Sequence, residues 1–207
     1  TEQVQEEQPA GSGEFRLVAT GDFIAHDAIN ARAKDAGLDY STMLQDMMPY
    51  FAKAQAKYCI QSTQAGGEAF GISGHPVYNA PVQLVDGMNK LGCNLINMAS
   101  DHSNDKGQAA IDVNVAAWKT KEVIEVGQYS KQEEHDAVNY GTINGLKIAF
   151  LAYTMSSAKP PANNFGVGMY SQDYAKQQIA AAKQGGAQLI IVGMRWGAEY
   201  ATDQNAT

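Results

Sequence analysis

The stretch A-S-D-H-S-N-D-K-G, residues 99–107, decides how this chain folds and where a functional site would lie. It follows the apolar run N-L-I-N-M-A, which is typical of a buried strand, and it precedes a run with helical periodicity. Two aspartates, Asp101 and Asp105, flank His102 in this loop. Polar side chains placed directly after a strand indicate either a metal-binding or catalytic loop, or only the cap of the next helix.

Polar loops follow three other predicted strands in the same way. G-D-F-I-A-H-D comes after a strand over residues 15–20, Q-S-T-Q-A-G-G after residues 57–61, and R-W-G-A-E-Y after residues 188–194. Because strands and helical segments alternate, we predict an α/β fold with a mainly parallel sheet, and the Asn144-Gly145 turn predicts one antiparallel hairpin. We therefore expect the four loops to meet at one sheet edge, where ligands bind in such folds.

Composition narrows the class of protein. The chain has 207 residues and a net charge of -7, and it shows no cluster of Lys and Arg, which argues against nucleic-acid binding. It contains no apolar stretch of about 18 residues, the length that a membrane helix needs. Residues 1–13 are polar and acidic and are expected to form a flexible tail or linker, such as would follow a removed export signal or membrane anchor. Residues 14–207 are expected to form a single domain.

The two cysteines and two of the four histidines receive ordinary structural interpretations. Cys59 and Cys93 fit no zinc-binding spacing, which favours two buried thiols. The alternative, in an oxidising compartment, is a disulfide between them. His75 and His135 are expected to be surface histidines. No serine lies in a G-x-S-x-G nucleophile motif.

The remaining acidic and imidazole side chains are candidate metal ligands. Carboxylates and imidazoles from different strand ends suit a divalent cation that polarises a phosphoryl oxygen. The candidates at these strand ends are Asp22, His26, His102 and Asp105. Three alternatives stay open: Asp22 as a turn or cap residue, Asp105 as a helix cap, and His102 as an ordinary hydrogen-bonded histidine.

Taken together and in this order, the loops resemble the bacterial capsule-synthesis CapA family, also called the poly-γ-glutamate capsule or PgsA-like family. The matching stretches include G-D-F-I-A-H, S-D-H-S-N-D-K-G and W-G-A-E-Y, and they span nearly the whole chain after the tail. The resemblance implies a metallophosphoesterase-like α/β/β/α sandwich with mixed sheets. It also implies that the C-terminal part of the family domain is missing from residues 14–207.

The resemblance also implies roles for particular residues. It assigns metal binding to Asp22, His26, His102 and Asp105, catalysis to His102, Asp101 and Arg195, and substrate binding to Lys106, Arg195 and Glu199. At four positions this chain departs from the family pattern: Ile60 and Ser62 replace an amide and a carboxylate, Asp101 replaces an asparagine, and Arg195 replaces a histidine. These departures predict a degenerate site with at most one divalent ion (Mn, Mg or Zn).

The resemblance implies a membrane-anchored or secreted protein at the extracellular face of the bacterial membrane. Its expected partner is an anionic capsule polymer, such as poly-γ-glutamate, or the machinery that makes it. No nucleic-acid partner is expected, and membrane contact is expected only through an anchor absent from this chain. Two other functions stay open: a metal-dependent phosphoesterase, and a non-catalytic binding domain that retains the fold.

Overall fold

The structure is a computed structural model that describes residues 14–197. Its first sheet has four parallel strands in the order β1-β2-β3-β4. The strands are β1 Leu17–Phe23, β2 Ala56–Gln61, β3 Leu95–Asn97 and β4 Ile124–Val126. Since neighbouring strands are parallel, their carboxyl ends lie at the same edge of the sheet.

The second sheet has three strands in the order β5-β6-β7. They are β5 Asn139–Ile143, β6 Leu146–Thr154 and β7 Leu189–Arg195. The predicted hairpin is confirmed, because β5 and β6 are antiparallel and are joined by Asn144 and Gly145 at φ values of 50° and 78°. Both residues are in the left-handed region that this kind of two-residue turn requires. β7 pairs in parallel with β6, so this sheet is mixed.

Six α-helices connect or cover the strands within residues 14–197. They are α1 Asp27–Asp35, α2 Met48–Phe51, α3 Gln83–Leu91, α4 Gln108–Trp118, α5 Gln132–Asp136 and α6 Gln172–Gln184. The Ser171 side chain caps α6 by accepting a hydrogen bond from the Tyr174 N–H, as the sequence predicts. In this described part of the chain, no helix is long and apolar enough to cross a bilayer.

Two hydrophobic cores hold the layers together. One joins the first sheet to α1, α3 and α4, and the other lies between the two sheets. Along β6, Phe150 and Ala152 point into the core between the sheets. Tyr153 points to the opposite face, where its hydroxyl donates to Gln178 of α6 at 2.7 Å. The layers are therefore helix, sheet, sheet and helix, which agrees with the expected α/β sandwich.

Two local expectations need correction. Cys59 and Cys93 are buried, as predicted, but they are not free thiols. They form a disulfide that joins β2 to the loop just before β3. His135 is not a surface histidine: it is buried, and its ring stacks on Tyr174 with the centroids 4.5 Å apart. The sequence did not indicate this burial, because a helix of five residues is too short to show a periodic apolar face.

Candidate functional site

A cleft of about 760 Å³ opens at the carboxyl ends of the strands. The loops after β1, β3 and β7 all contribute to it, as does the proline-containing loop before α3. The polar side chains that line it are His26, His75, Tyr78, Asp101, His102, Ser156, Arg195 and Trp196. The expected meeting of strand-end loops is thus confirmed for β1, β3 and β7, whereas the loop after β2 does not line the cleft.

The guanidinium of Arg195, which lines this cleft, connects two aspartates, one of which lines the cleft as well. Its Nη1 donates to Asp22 Oδ2, and its Nη2 lies 3.0 Å from Asp101 Oδ1. Partial burial by itself would lower the pKa of Arg195, but the two carboxylates raise it above its ordinary value. Asp22 lies within β1 itself, so its predicted alternative as a turn or cap residue is wrong.

His102 is held in one orientation by Asp105. The two side chains meet at 2.8 Å between Nδ1 and Oδ2, and the same carboxylate oxygen accepts the Tyr78 backbone N–H at 2.7 Å. The other ring nitrogen, Nε2, lies 3.5 Å from Asp101 Oδ2. Asp105 does not cap α4, because Gly107 is the N-cap residue and no side chain caps that end. The buried carboxylate therefore fixes the imidazole at the cleft wall.

Tyr78 lies at the centre of a group of rings. Its ring meets those of His26, His75 and His102 edge-on, with centroid distances of 5.1, 6.3 and 4.6 Å. The Tyr78 hydroxyl also lies 3.5 Å from His26 Nε2. His75 is exposed, as expected, but it lines the cleft instead of an unrelated surface.

At the end of β2, Gln61 and Ser62 are buried, and the departing position Ile60 is partly buried. Gln61 donates to Asn114 at 2.9 Å and accepts the Trp118 indole N–H at 2.6 Å. Ser62 is buried, and its Oγ has no hydrogen-bond partner among residues 14–197. Ile60 and Ser62 cannot supply a carboxylate, so β2 contributes structure to this edge of the sheet and no strong metal ligand.

Of the other two predicted substrate-binding residues, one does not line the cleft and one lies outside the described part of the chain. The Lys106 backbone N–H donates to Gln64 Oε1 at 2.6 Å, and the residue is not among those lining the cleft. Glu199 lies outside the described residues. Arg195 is therefore the one residue of the predicted substrate-binding set that the described structure places in the cleft.

The donor set does not suit a metal ion as it is arranged here. Within residues 14–197, no three His, Cys, Asp or Glu side chains are positioned to hold one ion. Asp22 and Asp101 are engaged by Arg195, and Asp105 is engaged by His102 Nδ1 and the Tyr78 backbone N–H. Metal binding by Asp22, His26, His102 and Asp105 would require these contacts to rearrange, and it stays a prediction.

Sequence reasoning did not identify four polar residues of the cleft: His75, Tyr78, Ser156 and Trp196. The signal for Trp196 was available, because it directly follows Arg195 and polar residues after β7 were expected at this edge. Tyr78 and Ser156 come from loops whose conformation no local pattern fixes. Only the tertiary structure places them beside His102 and Arg195.

Together, the fold and the cleft define a class of protein: an α/β sandwich with a histidine-containing cleft at the carboxyl ends of its strands. The sequence profile of the family described as "Bacterial capsule synthesis protein PGA_cap" matches residues 16–207. The chain belongs to this family. The expected family resemblance is thereby confirmed.

Two relatives from bacilli carry similar names. The chain is 26% identical over 128 residues to "Capsule biosynthesis protein CapA" of Bacillus anthracis, an alignment that covers 59% of this chain and 31% of that protein. It is 29% identical over 115 residues to "PGA biosynthesis protein CapA" of Bacillus subtilis (strain 168), covering 54% of this chain and 30% of that protein. The alignments thus span less than a third of the length of either relative.

Proposed function

We propose that this chain takes part in making or anchoring an anionic capsule polymer such as poly-γ-glutamate, and that the cleft holds a segment of that polymer. Family membership and the names of the two relatives support the capsule role. The observation that carries the proposal to this cleft is Arg195, whose guanidinium is fixed between Asp22 and Asp101 and lines the cleft.

Arginine chemistry supports a carboxylate ligand. A guanidinium carries five N–H groups, and the two ion pairs engage one terminal nitrogen each. Planar N–H pairs recognise carboxylates well, and the aspartates hold the group in a fixed orientation beforehand. Because Asp22 and Asp101 also reduce the local positive charge, we expect each polymer carboxylate to bind weakly. Useful affinity then comes from several repeats of one chain.

The wall and rim of the cleft suit the apolar part of such a polymer. Trp196 directly follows Arg195, lines the cleft and is 62% exposed. Exposed aromatic rings of this kind contact methylene groups with little loss of side-chain entropy. We expect the Trp196 indole to pack against the methylene groups between successive carboxylates.

The proposed location is the extracellular face of the cell envelope, where a capsule polymer is assembled. The disulfide between Cys59 and Cys93 supports this, because structural disulfides persist in oxidising compartments. Residues 1–13 would then act as a linker to a membrane anchor.

Binding of poly-γ-glutamate to the 207-residue protein, measured by calorimetry, tests the proposal. Arg195→Ala is expected to weaken binding by about tenfold, the usual effect of losing a charged hydrogen bond. Lys106→Ala is expected to have a smaller effect, because Lys106 does not line the cleft. Arg16→Ala is the matched control, since Arg16 precedes β1 at the opposite end of the strand. Binding that is unchanged by Arg195→Ala and Lys106→Ala would refute this role for the cleft.

A second candidate is a metal-dependent phosphoesterase. It is favoured by the orientation of His102, which Asp105 fixes at the cleft wall. One Mn²⁺, Mg²⁺ or Zn²⁺ held by Asp22 and His102 would polarise a phosphoryl oxygen. Hydrolysis of an aryl phosphate with added Mn²⁺, abolished by Asp22→Ala and by His102→Ala, would support it. Polymer binding without such hydrolysis would instead favour a non-catalytic binding domain.

A further inference from the structure

Three parts of the fold meet at one guanidinium. Asp22 belongs to β1 of the first sheet, Asp101 to the loop after β3, and Arg195 to β7 of the second sheet. Both carboxylates are partly shielded from solvent, with side-chain exposures of 24% and 30%. Two carboxylates brought together in such a setting repel each other unless a cation lies between them.

We propose that Arg195 is the built-in cation of this cleft, and that the cleft keeps its shape without a metal ion. The guanidinium neutralises the pair of aspartates that a divalent ion would otherwise have to bridge. The inference concerns the cation of the cleft: it is independent of which polymer binds there, and it excludes the metal-dependent phosphoesterase.

Two of the carboxylates that a metal would need are already ion-paired. Asp22 and Asp101 each give an oxygen to Arg195. The end of β2 supplies no further carboxylate. A divalent ion placed near these donors would also lie close to a fixed positive charge, which Coulomb repulsion opposes.

The backbone of β7 is built to bring Arg195 to this position. A Cβ atom on Gly193 would lie 2.7 Å from both Asn97 Nδ2 and the Tyr58 hydroxyl, so the absent side chain lets β7 approach the first sheet closely. Residues two apart on a strand share a face, and Arg195 therefore points from β7 toward the same sheet. The ion pairs with Asp22 and Asp101 follow from this approach.

Thermal unfolding of the chelator-treated 207-residue protein, with and without added cations, tests the inference. The wild-type melting temperature is expected to be the same with chelator, Mn²⁺ or Zn²⁺. Arg195→Ala is expected to melt about 4 °C lower, because two partly buried carboxylates lose their cation. Millimolar methylguanidinium or Mn²⁺ is expected to restore part of this loss. The double variant Asp22→Asn/Arg195→Ala is expected to lose that response.

Two variants serve as controls. Arg16→Ala removes the same charge from an exposed pair with Glu14, and it is expected to show no response to either cation. Arg195→Lys keeps one positive charge without the planar fork, and it is expected to melt between the wild type and Arg195→Ala.

Either of two results would overturn the inference. One is stoichiometric binding of a divalent ion by the wild-type protein that Asp22→Asn abolishes. The other is an Arg195→Ala variant that melts like Arg16→Ala and ignores both cations. If Arg195→Ala does not fold, the wild-type metal titration and Arg195→Lys still decide the question. Neither readout measures polymer binding, so failure here is separate from failure of the proposed function.

Discussion

His102 and His135 each stand beside an aspartate, and the Nδ1–Oδ distance is 2.8 Å in both pairs. The burial of the two carboxylates is reversed. Asp105, the partner of His102, has a side chain that is only 2% exposed, whereas that of Asp136, the partner of His135, is 59% exposed. The same contact therefore has two structural roles. In the first pair the buried Asp105 carboxylate orients His102, whereas in the second pair the imidazole of His135 is the buried group.

The surroundings of the two imidazoles explain the difference. His135 stacks on Tyr174 and meets Tyr129 edge-on at 5.4 Å, and its carbonyl accepts the Tyr174 hydroxyl at 2.5 Å. Tyr129 is buried, and this burial raises its pKa to about 12. His102 instead lines the open cleft. A His–Asp pair thus indicates a site when the imidazole, and not the carboxylate, faces the solvent.

The largest expected effect is the difference in stability between the variants Asp105→Ala and Asp136→Ala. Asp105→Ala leaves the Tyr78 N–H and His102 without their buried acceptor, and we expect it to lower the free energy of unfolding by about 3 kcal/mol. Asp136→Ala removes only an exposed partner, with an expected loss of about 0.5 kcal/mol. Urea denaturation measures both values. Equal losses would contradict the reversed burial of the two pairs.

A smaller effect is expected from truncating the imidazoles. His135→Ala opens a cavity between Tyr174 and Tyr129 and should cost about 2 kcal/mol in stability. His102→Ala, at the cleft wall, should cost less than about 1 kcal/mol. Poly-γ-glutamate binding should respond in the opposite order, with a loss only for His102→Ala. A His135→Ala variant that is as stable as wild type would remove the structural role assigned to this histidine.

The smallest expected effect is on the titration of Asp136. The hydrogen bond from His135 holds the pKa of this carboxyl below its ordinary value of 3.8. Because the folded-state pKa is lowered, the pair's contribution is fully present above the unfolded-state pKa and is lost as pH falls through the lowered folded-state value. Carboxyl NMR titration should show the depressed pKa in the wild type and its return toward 3.8 in His135→Ala. A pKa unaffected by that substitution would show that His135 is not the cause.

The elements of the fold could be predicted where local chemistry is strong. Asn144-Gly145 predicted the hairpin, Ser171 predicted the start of α6, and the apolar runs located β2, β3 and β7 to within a few residues. The end of β1 was placed too early, because the polar Asp22 looked like a loop residue although it lies in an edge strand. An edge strand tolerates such a side chain, since one of its sides is free of a neighbouring strand.

The site was predicted in outline and not in detail. Alternation of strands and helices was enough to expect Asp22, His102 and Arg195 at one edge, and the structure brings them together. The choice between a metal site and an ion pair depended on a contact between residues 173 positions apart in sequence. No local pattern reports such a contact.

The sequence by itself determined the layered α/β class, the strand-end loops and membership of the capsule-synthesis family, because periodicity, turn residues and motif order are local properties of the chain. The tertiary structure alone decided that Arg195 lies between two aspartates, that His102 lines the cleft while His135 is buried, and that Tyr78 and Trp196 belong to the cleft. The position of Arg195 depends on how closely the second sheet approaches the first. That approach is set by packing between residues distant in sequence, such as Gly193 against Tyr58 and Asn97.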